Sequence, residues 1–122
     1  MKFQKKYLVK ESEKMSPEYL MVITTTSSRK DADNIAKYLL EKRLAACIQI
    51  FSSITSSYWW NDKICTDEEW LCLIKTSQKN YETLEKAIRE VHPYETPEVI
   101  ALPILTGSQD YLAWLGNQLE NN

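Results

Sequence analysis

The chain contains one histidine, set in His92-Pro93-Tyr94-Glu95-Thr96-Pro97-Glu98, where two prolines frame imidazole, phenol and carboxylate groups. An unperturbed imidazole changes charge near neutral pH, and in its neutral form it is the commonest protein ligand for transition metals. Each proline fixes its own φ and turns the preceding residue, His92 or Thr96, away from helical geometry, so these groups should stand on a stiff, extended connector. The chemistry offered is cation binding, with His92 as nitrogen donor and Glu95 as oxygen donor. The plainer reading is a histidine hydrogen-bonded to backbone where a helix closes. Metal sites call for three or four placed ligands, and one histidine is a thin start.

Other polar groups sit inside apolar runs. Lys75 lies near the end of a strand-like stretch, where it could hold an anion or pair with Glu69 on the same face. Tyr58, Trp60, Lys75 and Tyr94, with His92 and Glu95, are candidates for a common cleft between subunits of an assembly. Asp67-Glu68-Glu69 offers adjacent carboxylates, but strand alternation sends neighbours to opposite faces, and they read as solvated. Cys47, Cys65 and Cys72 lack metal-site spacing and read as core thiols of a reducing compartment.

The elements that must position these groups follow from periodicity. Leu20 to Thr26 is a β-rich run at which the folded domain, residues 19–122, should begin. Residues 1–18 show no sustained period and read as a flexible extension. Ser28 and Asp31 resemble a capping box before a helix bearing Ala32, Ile35, Ala36, Leu39 and Leu40, closed by Lys42 and Arg43. Leu44 to Thr76 reads as two long strands joined at Asn61-Asp62, a pair that tolerates the positive φ of a tight turn. Ser77 can cap a helix with Tyr81, Leu84, Ile88 and Val91 on its apolar face, ended by His92-Pro93. Glu98 to Leu105 predicts a fourth strand, placed at a sheet edge or in a break by Pro103. Ser108 and Asp110 open a last helix with Tyr111, Leu112, Leu115 and Leu119, and Trp114 is assigned to the core. The order β-α-β-β-α-β-α is an α+β, ferredoxin-like plan with an extra C-terminal helix.

Composition narrows the classes. A chain of 122 residues suits one domain, and its 43% hydrophobic and 26% charged content is ordinary for a globular protein. The formal net charge of −2 carries no basic footprint for nucleic acid. No apolar run approaches the roughly 20 residues of a membrane span, so a soluble, cytoplasmic protein is expected.

Strand length implies a partner. About 14 residues at roughly 3.3 Å each extend about 46 Å, whereas a domain of about 100 residues has a radius of gyration near 13 Å. The hairpin should protrude and carry Tyr58, Trp59, Trp60 and Ile64 at its tip. Trp70, Cys72 and Ile74 point to one sheet face and Leu71 and Leu73 to the other, so helices on one side leave a second apolar face. Other copies of the chain would cover both. The competing explanation is a bulge that bends the ribbon at Ser52-Ser53 or Ser56-Ser57.

Five segments together resemble the CutA family of divalent-cation tolerance proteins. They are Leu44-Ala45-Ala46-Cys47, Ser56-Ser57-Tyr58-Trp59-Trp60, Glu69 to Thr76, His92 to Glu98, and Tyr111-Leu112-Ala113-Trp114. The resemblance implies a homotrimer similar to the PII signalling proteins, with hairpins pairing between subunits, no catalytic reaction and no obligatory cofactor. It implies tolerance of copper and other divalent metal ions, with copper binding in some relatives. Thr24 and Val91 stand where copper-binding relatives carry a cysteine and a second histidine, which leaves His92 alone of that set. The alternative is a PII-like small-ligand sensor or protein scaffold that binds no metal directly.

Overall fold

A computed structural model describes residues 17–119. The expected extension lies outside the described residues except for Pro17 and Glu18, as do the last three positions. The order is β1 (Tyr19–Thr26), α1 (Arg29–Glu41), β2 (Cys47–Trp60), β3 (Lys63–Ser77), α2 (Tyr81–Val91), β4 (Ile100–Ile104) and α3 (Gln109–Gln118). The strands form one four-stranded antiparallel sheet in the order β2-β3-β1-β4. The architecture is therefore α+β.

Helices α1 and α2 cover one sheet face. Ile35, Leu39, Leu84 and Ile88 close on Val22, Cys72 and Ile74, with Ile48, Ile50 and Trp70 packed around them. The Ser28 hydroxyl caps α1 by accepting the Asp31 N–H at 3.1 Å. At the other end Arg43 takes a φ of 59°, while its N–H reaches the Leu40 carbonyl and the Leu44 N–H reaches that of Leu39, each at 3.0 Å. Pro103 stands on edge strand β4 opposite Leu20, where the lost backbone donor leaves no second ladder broken.

The long hairpin turns at Asn61 and Asp62, whose φ values of 51° and 60° are both left-handed, as a two-residue primed turn requires. Its register shifts between Phe51 and Ile54, since Phe51 faces Leu71 and Ile54 faces Glu69. One extra residue, at Ser52-Ser53, therefore bulges opposite Trp70. Before the bulge Cys47, Gln49 and Phe51 share a face with Leu71 and Leu73, and beyond it Ile54, Ser56, Tyr58 and Trp60 do. Trp59 at the tip is 71% exposed, and Ile64 is 67% exposed.

Several sequence expectations shift. Ser77 belongs to β3, paired with Tyr19, so the helix after it starts at Tyr81 with Asn80 as N-cap, and the Ser77 hydroxyl instead accepts the Asn80 N–H at 3.2 Å. Val91 and Trp114 are exposed rather than core residues. Trp114 lies on the outer side of α3, tilted against Tyr111 at 5.6 Å between ring centroids.

Helix α3 packs on the second sheet face. There Lys75 Nζ donates to Tyr111 Oη at 3.1 Å, so Lys75 pairs with this phenol and not with Glu69. Tyr19 runs across Gly116: a Cβ there would meet Tyr19 Cζ at 3.4 Å and the hydroxyl closer than contact. Gly116→Ala should therefore destabilise the fold by about 1 kcal/mol despite alanine's better helix propensity. Tyr19→Phe removes only the clashing oxygen, so the double variant should regain the loss in urea unfolding. Equal midpoints for Gly116→Ala and the parent would show that the two elements are not so close.

Candidate functional site

The segment after α2 is strapped onto the sheet by its own side chains. His92 closes the helix with its N–H on the Ile88 carbonyl, and Pro93 holds it at ψ 132°, out of helical space. This turns the imidazole inward, where it is 7% exposed. Nδ1 lies 3.1 Å from the Tyr94 N–H, which can only donate, so Nδ1 is the acceptor. The proton is then on Nε2, 2.8 Å from the Thr25 carbonyl at the end of β1. Both ring nitrogens are therefore engaged by backbone.

Tyr94 continues the strap. Its ring tilts on His92 at 4.7 Å, and its hydroxyl donates to Glu69 Oε2 on β3 at 2.7 Å. Glu69 is 7% exposed and so is a buried carboxylate, contrary to the solvated reading of its tripeptide. On the outer hairpin the Tyr58 hydroxyl donates to Asp67 across the strands, which pushes the phenol up to about 12. Burial first, then the Glu69 bond and charge, push Tyr94 far higher than an ordinary phenol.

Between strap and hairpin lies a cleft of about 540 Å³. Tyr58, Trp60 and Tyr94 supply rings to its wall, and Glu69, Glu95 and Glu98 supply carboxylates, with the Ser56 and Ser57 hydroxyls between. Of the residues singled out from sequence, Tyr58, Trp60, Tyr94 and Glu95 therefore meet here. His92 lies behind the wall and Lys75 beneath α3, and neither lines the cleft. Glu69 was missed, although its place on the face of Leu71 and Leu73 could have marked it.

A copper site does not fit this single chain. Ligation through His92 would have to break one of its two hydrogen bonds to backbone. Thr24, its Oγ1 buried and without a hydrogen-bond partner, is a poor ligand for soft copper, and Val91 is none. Among the described residues no group of three or more His, Cys, Asp or Glu side chains is placed to hold a metal ion. The thiol nearest this region by register, Cys72 opposite Thr24, is buried and pushed up to about 11 by desolvation, far from a ready thiolate.

The raised phenol has a pH consequence. A folded-state pKa above the ordinary 10.0 means that Tyr94 contributes its stability fully below that pH and loses it as pH rises toward the folded value. Urea midpoints should therefore fall from about pH 9 to about pH 11, and Tyr94→Phe should lower the midpoint at neutral pH while flattening part of that fall. An unchanged alkaline slope in Tyr94→Phe would place the sensitivity elsewhere.

Comparison with known proteins agrees with this geometry. The family described as CutA1 divalent ion tolerance protein matches residues 20–118. The divalent-cation tolerance protein CutA of Thermus thermophilus is 42% identical over 95 residues, covering 78% of this chain and 92% of its own. The chloroplastic CutA protein of Arabidopsis thaliana is 39% identical over 119 residues, covering 98% of this chain and 65% of its own, so this chain spans just under two thirds of that longer relative. The crystal structure of CutA1 from Oryza sativa has a TM-score of 0.84 at 36% identity, covering 87% of this chain and 97% of that one. A match across the whole sheet, the strap and α3 decides the matter: the chain belongs to the CutA1 family of divalent ion tolerance proteins.

Proposed function

We propose that the protein works as a homotrimer of ferredoxin-like subunits, PII-like in assembly and cytoplasmic, that serves tolerance of divalent cations without catalysing a reaction. Family membership supports the cation role. The observation that carries the assembly is the bare outer hairpin, where Tyr58, Trp59, Trp60 and Ile64 stand exposed on a ribbon too long for its own domain. Such a surface is unfavourable in a lone chain and is covered by a closed ring of copies. No described helix is long and apolar enough to cross a membrane.

Direct copper or other metal binding at His92 and Glu95 is the weaker part of that role, since one subunit offers Glu95 as a free donor and an imidazole already engaged. The second reading, a PII-like sensor of a small ligand, is favoured by the cleft itself, which is far larger than a metal ion. Sedimentation together with histidine-ring NMR under titration with copper, zinc and magnesium separates these. A mass three times that of the chain and unmoved ring signals are expected. A monomer would remove the assembly, and a ring resonance broadened by stoichiometric copper would restore His92 as a ligand.

A further inference from the structure

We draw no further inference here: the strongest candidate, the charged groove between the outer face of α2 and the strap, carries nothing because Lys86, Arg89 and Glu95 in its wall stand exposed to solvent, Arg89 is already paired with Glu85, and nothing in the structure shows what would fill it.

Discussion

Ile74→Ala should lower the unfolding free energy by about 3 kcal/mol, a fall of roughly 12 to 24 °C in Tm for a domain of this size. Ile74 is fully buried near the C-terminal end of β3, between Val22 on β1 and Ile48 on β2, and α1 and α2 close over it. Its loss therefore opens a cavity that neither sheet backbone nor two facing helices can collapse into. Ile64, one of the same residue type on the same strand, is exposed at the hairpin tip and supplies the control. Ile64→Ala should change the stability of a dissociated subunit by no more than about 0.5 kcal/mol. Chemical denaturation of both variants checks the contrast. If the two lost equal stability at subunit concentrations too low for assembly, the core would not lie where the packing puts it.

His92→Ala should cost about 2 to 4 kcal/mol, because it strands the buried Thr25 carbonyl and the half-buried Tyr94 N–H at once. The loss should be the same with or without added divalent cations. Amide exchange should rise together at Thr25, Tyr94 and the residues between His92 and Val99, since the strap is released as a unit. A stable His92→Ala protein that had lost only a response to copper would assign the histidine to a metal after all.

How far the sequence discloses this molecule depends on whether a signal is local. The turn at Asn61-Asp62, the cap at Ser28 and the break at His92-Pro93 are set by residue types within four positions, and each stands where it was expected. The edge position of Pro103 is likewise dictated by one missing donor. Trp114 went the other way: it lies off the stripe of Leu112, Leu115 and Leu119, and Leu115 goes under as its spacing says while Trp114 stays exposed. Ser77 has good capping chemistry, and its pairing with Tyr19 overrode it. Glu69 was legible by face but not by burial, because its burial depends on Tyr94, a partner 25 positions away. The cleft is a meeting of strap and hairpin, so Tyr58, Trp60, Tyr94 and Glu95 could be nominated together, while the absence of His92 and Lys75 from it, which follows from their bonds to Thr25 and Tyr111, could not.

The extra residue at Ser52-Ser53 separates two properties of the ribbon that are ordinarily tied together. The ladder resumes with Ile54 on Glu69 exactly one residue out of step, so deleting either serine would restore an unbroken ladder with every pair on both sides retained. What such a deletion would remove is the bend and added twist of the bulge. The direction in which Tyr58 and Trp60 are carried away from the domain is thus adjustable by a single codon, with their partners, and the faces they share, left as they are.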